Sequence, residues 1–194
     1  MKTVLSDNLF RLSDILTHDE CLALIERGES LGFTRAAVRT SSGAQMRPDI
    51  RDNDRVQFHD SDLAMTLWQR CAEFVPRELE GGTVAGFDTE FKFYRYDVDQ
   101  RFLRHKDGMI RRDATTRSRL TCLFYLNDGF DGGETVFYSD IKVDNVRHEA
   151  ATVVPRTGDA LFFQHEWWHE GRGVKTGRKY VLRSDVFYCF DDQS

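Results

Sequence analysis

His105-Lys106-Asp107 and His165-Glu166-Trp167-Trp168-His169 group imidazole and carboxylate side chains closely enough to hold a metal. In an extended strand, residues two positions apart point to one face, so His105 and Asp107 would converge on one point. A third ligand from a distant strand would complete a two-histidine, one-carboxylate facial triad, leaving three adjacent positions open on Fe(II) for substrate and oxygen. Six histidines and 32 acidic residues in 194 positions should yield about one His-x-Asp or His-x-Glu by chance, so the pattern alone carries little. His18-Asp19-Glu20 repeats it at an expected helix start, where residues two apart diverge around the axis.

The second group also spells HExxH, the signature that binds zinc on a helix with glutamate as general base. Here it follows Ala160-Leu161-Phe162-Phe163, which leaves a Gly158-Asp159 turn like a strand, and Gly171 and Gly173 cut it short. The extended zinc motif fails too, with Arg172 and Lys175 where Gly and His would be needed.

Composition bounds the scaffold that must position these groups. The chain has 194 residues, 40% of them hydrophobic, and a net charge of −5. That suits one globular domain over 1–194. No stretch approaches the roughly 18 uninterrupted apolar residues of a membrane span. Ser6, Asp7 and Asn8 interrupt the opening where a secretion signal needs an apolar block, so the expected location is cytoplasmic. The acidic balance argues against general nucleic-acid binding. The one basic concentration (Arg101, Arg104, Lys106, Arg111, Arg112, Arg117, Arg119) reads either as a solvated loop face or as an anion-attracting rim. Cys21, Cys71, Cys122 and Cys189 lack a CxxC pairing and are expected as reduced core thiols.

The first third reads mostly helical. Thr17 and Glu20 form a capping-box pattern before Leu22, Leu24 and Ile25, expected on one face of a helix that ends at Gly28 or Gly32. A second helix is expected from Ser61 to Pro76 on the spacing of Leu63, Ala64, Leu67, Trp68, Cys71 and Phe74. The polar stretch Arg35 to Arg55, centred on Ser41, Ser42 and Gly43, reads as a loop or mobile hairpin. Short aromatic and β-branched runs follow: Glu90–Tyr96, Arg119–Leu126, Thr135–Tyr138, Ala151–Val154, Ala160–Phe163 and Tyr180–Phe190. Strands at this spacing predict an antiparallel barrel or sandwich with helices outside one sheet.

Several motifs in order resemble the Fe(II)- and 2-oxoglutarate-dependent dioxygenases of the prolyl 4-hydroxylase-like group, which includes the oxygen-sensing and collagen-type enzymes. They are YDVDQRFLRHKDG from Tyr96, RLTCLFYLND, GGETVFY, the Pro155–Gly158 turn, DALFFQHEWWHEG and GVKTGRKYVLRSDVFY. The resemblance implies a mainly β fold with flanking α: a double-stranded β-helix (jelly-roll) barrel over 86–190, with N-terminal helices on one sheet and a mobile substrate loop within 1–85. It implies Fe(II), 2-oxoglutarate and O2, with ascorbate as a candidate stimulant, and His105, Asp107 and His169 as iron ligands. His169 is preferred to His165 because Gly171, Gly177 and Lys179 fall at the family's spacing only when counted from it. Lys179 would then pair with the distal carboxylate of 2-oxoglutarate, Tyr125 would donate a hydrogen bond to it, and Tyr96 and Thr121 would lie nearby. Strand alternation adds Arg183, which shares a face with Lys179, Val181 and Asp185. Its anionic partner is left open between Asp185, 2-oxoglutarate and an anionic substrate.

The implied reaction hydroxylates an unactivated C–H bond and releases succinate and CO2. Asp49–Arg55 resembles the edge of the family's mobile segment. With Arg111, Arg112, Arg117 and Arg119 it would frame either a pocket for a carboxylate-bearing small molecule or a peptide groove. Arg51, Arg119 and Trp168 are the candidate substrate contacts. A prolyl or other amino-acid residue of a protein is the expected substrate, a free small acid or amino acid the alternative, and an HExxH zinc protease the reading of another class.

Overall fold

The computed structural model describes residues 1–40, 43–143 and 146–191, and Ser41 and Ser42 of the expected loop lie outside them. Helix α1 (His18–Leu31) starts at a complete capping box, in which Thr17 Oγ1 accepts from the Glu20 N–H and the Glu20 carboxylate accepts from the Thr17 N–H. It buries Cys21, Leu24 and Gly28, with Ile25 packed alongside. Leu22, expected on that face, is exposed, because the i, i+3, i+4, i+7 stripe begins at Cys21. Gly28 lies inside the helix, where a Cβ would overlap the Phe93 ring, and Gly32 ends it. Helix α2 (Ser61–Cys71), capped by Asp60, buries Ala64, Leu67 and Cys71 and runs into a 3-10 turn at Ala72–Phe74. No helix among the described residues is long and apolar enough to cross a membrane.

The strands form two main sheets. The larger one runs Lys2–Ser6, Leu9–Leu12, Ala160–Gln164, Thr116–Tyr125, Lys179–Phe190, Glu90–Tyr96, Asp54–His59 and Thr34–Arg35, with Gly82–Phe87 paired to the far end of Lys179–Phe190. The smaller one runs Phe102–His105, Trp168–Gly171, Thr135–Val143 and Val146–Val153. Parity along the central strands sorts the core into two layers. Phe91, Phe93, Leu120, Cys122, Phe124, Phe162 and Leu182 pack with the helices. Tyr94, Tyr96, Tyr125, Leu161, Phe163 and Val181 pack instead with Phe137 and Val153 of the smaller sheet. Phe163 and Phe137 meet edge to face across the sheets at 5.1 Å.

Each expected strand from Glu90 onward forms, with ends shifted by a few residues. The first third is less helical than expected, since Leu9–Leu12 and Asp54–His59 join the larger sheet directly. Val38–Thr40 pairs with Gly43–Gln45 as a hairpin. Of the four thiols Cys189 is exposed rather than in the core, and burial pushes Cys71 up to about 12.

Gly158 ties the N-terminal segment to the barrel. Its carbonyl accepts from the Ile15 and Leu16 N–H groups at 2.8 and 3.0 Å, and its own N–H donates to Tyr125 O at 2.9 Å. Its φ is +84°, and a Cβ there would overlap the Leu16 carbonyl oxygen. Gly158→Ala should therefore lower the unfolding free energy in urea by about 2–4 kcal/mol. A loss below about 0.5 kcal/mol, the range of an indifferent surface change, would contradict this account.

Candidate functional site

His105 ends one strand of the smaller sheet and His169 lies in the next, and the two are direct partners in the antiparallel register. Their ring centroids are 4.3 Å apart. Asp107 follows His105 by two residues and turns into the same space. The ligating atoms of His105, Asp107 and His169 all lie within 4.8 Å of one another. His105 Nε2 is 3.7 Å from Asp107 Oδ1, and His169 Nε2 is 3.8 Å from Asp107 Oδ2.

The tautomers follow from the other ring nitrogens. His105 Nδ1 is 2.8 Å from Leu103 O and His169 Nδ1 is 3.0 Å from Trp167 O. A carbonyl only accepts, so each Nδ1 donates and each Nε2 keeps its lone pair toward Asp107. Burial keeps the rings neutral, pushing His105 down to about 3 and lowering His169 as well. Ring contacts fix the planes, with Phe102 stacked on His105 at 3.6 Å and Phe163 tilted against His169 at 4.6 Å between centroids. Two neutral imidazoles and a carboxylate converging from one side are a donor set that fits a divalent transition metal.

Asp107 is held from behind. Thr121 Oγ1 donates to its Oδ2 at 2.6 Å and Arg183 Nη1 donates to its Oδ1 at 2.7 Å. Burial alone would raise the carboxyl, but Arg183 and the two histidines outweigh that and keep Asp107 well below the usual carboxylate range. Arg183 Nη2 also donates to Asp185 Oδ1 at 2.8 Å. Asp185 in turn faces Lys92 Nζ at 3.1 Å and His165 Nε2 at 3.3 Å. His165, the decoy of the HExxH spelling, is thus a neighbour of Asp185 and not part of the triad. Ala160–Gln164 and Trp168–Gly171 are strands on either side of a turn, so no helix carries that motif and the zincin geometry is absent.

Beside the triad opens a cavity of about 40 Å³, enough for about three waters, lined by Tyr94, Tyr96, Phe102, Thr135, Lys179 and Arg183 among others. Lys179 is 3% exposed and donates to Gly133 O at 2.6 Å. No carboxylate among the described residues lies within ion-pair distance of it. Burial pushes its ammonium down to about 7, against a weak pull from Glu134. A buried cation with only a carbonyl for company is a place built for an anion. The rings of Tyr96 and Tyr125 flank it at 5.3 and 5.6 Å.

Other expected site residues fall elsewhere. The Tyr125 hydroxyl is bonded to Thr135 Oγ1 at 2.7 Å, and burial raises its pKa. Thr121 contacts the ligand carboxylate instead of the Lys179 end of the cavity. Arg119 pairs with Glu80 at 3.1 Å and does not reach the cavity. Arg112 and Arg117 lie over the rings of Phe187 and Phe190, so much of the expected anion-attracting rim is spent on the barrel's far end. Trp168 sits one residue from His169 and so points to the opposite face, with Lys106 Nζ 5.4 Å from its ring. Arg51 is buried between the Tyr94 and Phe102 rings, 4.5 Å from each. Sequence reasoning missed Lys92 and Thr135; strand parity with Tyr94 and Tyr96 would have put Lys92 on the barrel face, opposite the side of Phe91 and Phe93.

Fold and donor set are those that the iron and 2-oxoglutarate oxygenases would need. Residues 91–184 match the family model described as the 2OG-Fe(II) oxygenase superfamily, whose members use Fe(II), 2-oxoglutarate and O2. The chain is similar to the probable prolyl 4-hydroxylase 11 of Arabidopsis thaliana, with 27% identity over 179 residues that make up 88% of this chain. It spans 59% of the length of that relative. Two solved structures share the jelly-roll fold. The prolyl hydroxylase of Trichoplax adhaerens, in complex with a hypoxia inducible factor peptide fragment, superposes with a TM-score of 0.67 at 18% identity, covering 97% of this chain and 86% of that one. The viral collagen prolyl hydroxylase of Paramecium Bursaria Chlorella virus-1, a 2OG complex, gives 0.62 at 20% identity, covering 91% and 94%. The sequence resemblance to the prolyl 4-hydroxylase-like group therefore holds.

Thr121→Val removes one support of Asp107 without changing its charge. It is expected to weaken metal binding about 10-fold in an anaerobic Fe(II) or Co(II) titration, as loss of a ligand-orienting hydrogen bond does. His169→Ala should abolish binding and His165→Ala should retain it, and the reverse order would overturn the triad.

Proposed function

We propose that this chain, as one catalytic domain, is a hydroxylase that uses Fe(II), 2-oxoglutarate and O2 to oxidise an unactivated C–H bond of a prolyl or other amino-acid residue. His105, Asp107 and His169 are the metal ligands in this reading, and Lys179 receives the distal carboxylate of 2-oxoglutarate. The observation that carries it is the pairing of a donor triad with a buried ammonium that has no carboxylate of its own, across one narrow cavity. Held by His105, Asp107, His169 and Lys179, the pair would supply O2 activation, one oxygen atom going to the succinate formed with CO2 from 2-oxoglutarate and the other into the substrate C–H bond.

The chain's own residues bind, orient and exclude water. Leu103 O and Trp167 O hold the two imidazoles so that their free nitrogens face inward. Thr121 and Arg183 keep Asp107 ionised and aimed, which leaves the opposite side of the triad for the reactants. Phe102, Phe163 and Val181 make the walls apolar, so charge on the cofactor side is answered by Lys179 and not by water. Tyr96 and Tyr125 flank the ammonium with their rings. No side chain has to act as a nucleophile.

Adding Fe(II) and 2-oxoglutarate without oxygen should produce a weak visible charge-transfer band, and a peptide panel should then stimulate succinate release. Absence of the band under saturating Fe(II) and 2-oxoglutarate would sink the assignment. Lys179 adds a pH signature. With its folded pKa at about 7, binding a carboxylate there takes up a proton above that pH, so affinity for 2-oxoglutarate should fall as pH rises from 7 toward 9. Lys179→Met should weaken 2-oxoglutarate binding at least 10-fold and flatten that slope while leaving Fe(II) binding in place.

A further inference from the structure

Two arginines beside the triad have no role in the site described so far. Arg51 is 6% exposed, and its Nη2 is buried without a hydrogen-bond partner. Its Nε donates to Asn53 Oδ1 at 2.6 Å, which fixes the guanidinium over Tyr94 and Phe102. Both rings line the metal cavity, and Phe102 in turn stacks on the ligand His105. Arg55 lies directly opposite Tyr94 in the antiparallel register of Asp54–His59 with Glu90–Tyr96. Tyr94 faces the barrel interior, so Arg55 shares that face.

Arg55 is half-buried, and its side chain makes no ion pair or hydrogen bond among the described residues. Burial lowers its pKa; the adjacent Tyr94 hydroxyl pulls it up, and the like charges of Arg51 and Arg183 pull it down again. The charge count around Tyr94 is uneven. Arg183 and Lys92 are matched by Asp107 and Asp185, whereas Arg51 and Arg55 have no carboxylate partner among the described residues. Buried guanidinium groups are retained where an anion completes them, and their planar fork suits a carboxylate. Arg112, Arg117 and Arg119 of the basic run are engaged elsewhere, whereas Arg51 and Arg55 face Tyr94 and Phe102 of the cavity wall with no carboxylate partner among the described residues.

We propose that Arg51 and Arg55 form a carboxylate subsite for the oxidised substrate, distinct from the Lys179 end of the cavity. The substrate then presents a carboxylate close to the C–H bond that is hydroxylated. This rests on the oxygenase reading and narrows its substrate class. The carboxylate can be that of a free amino acid, a peptide C-terminus or an acidic side chain, and one panel separates these sources.

The test is equilibrium dialysis of the anaerobic Fe(II) and 2-oxoglutarate-loaded protein against labelled L-proline, L-glutamate, glycyl-L-proline and an internal Pro-Glu peptide, each beside its carboxamide. At least one acid should be retained 10-fold more tightly than its amide. Arg55→Gln and Arg51→Gln should each erase that preference, and Arg55→Lys should restore part of it. Equal retention of acid and amide, a preference that survives both glutamine variants, or no retained member in the panel would overturn the subsite. The charge-transfer band, read on the same samples, separates this from failure of the oxygenase reading: a band without acid preference refutes the subsite alone, and acid preference without a band refutes the oxygenase assignment alone. A variant that keeps the band has kept its fold and its metal.

Discussion

The antiparallel pairing of Phe102–His105 with Trp168–Gly171 is the contact on which the rest of this molecule depends. It sets His105 against His169 as immediate cross-strand neighbours and so fixes two of three donor atoms by backbone hydrogen bonds rather than by flexible side chains. The third donor is brought in by a short loop and is free to move unless something holds it. Thr121 and Arg183, both on central strands of the opposite sheet, supply that hold. The site is therefore a bond between the two sheets as much as a cluster of ligands, and the aromatic layer of Phe137, Phe163 and Tyr94 keeps the sheets at the separation it needs.

Charge inside the barrel is unevenly matched. Asp107, Arg183, Asp185 and Lys92 form a chain of ion pairs, while Lys179, Arg51 and Arg55 have no carboxylate partner among the described residues. The chain costs desolvation and returns it only because every member has a partner. Neutral, aimed imidazoles and an ionised, braced carboxylate are a donor set that suits a divalent cation.

Much of this was legible in the sequence, for reasons that can be named. Glu90–Tyr96, rich in aromatic residues, formed as expected, and the Thr17–Glu20 capping box formed with both its bonds. The alternation through Lys179, Val181, Arg183 and Asp185 put Arg183 inside and named Asp185 among its partners. Asp107 as the other partner was not readable, because the loop after His105 folds back across a sheet and no local pattern encodes that. Leu9–Leu12 escaped because three of its four residues are buried, so it lacks a polar face to alternate with. Gly82 and Gly86 disguised Gly82–Phe87 as a loop. The basic run up to Arg119 misled because charge density in a sequence says nothing about which aromatic rings and carboxylates will absorb it.

The ligand order along the chain has a consequence for how the protein reaches its native state. His105 and Asp107 are close in sequence, but His169 arrives about sixty residues later, after the strand pair Thr135–Val143 and Val146–Val153 has been made. An ion meeting the chain early would find two donors and bind weakly. All three donors come together only when Phe102–His105 pairs with Trp168–Gly171, so an ion held by them would reward that long-range pairing and not nucleate it.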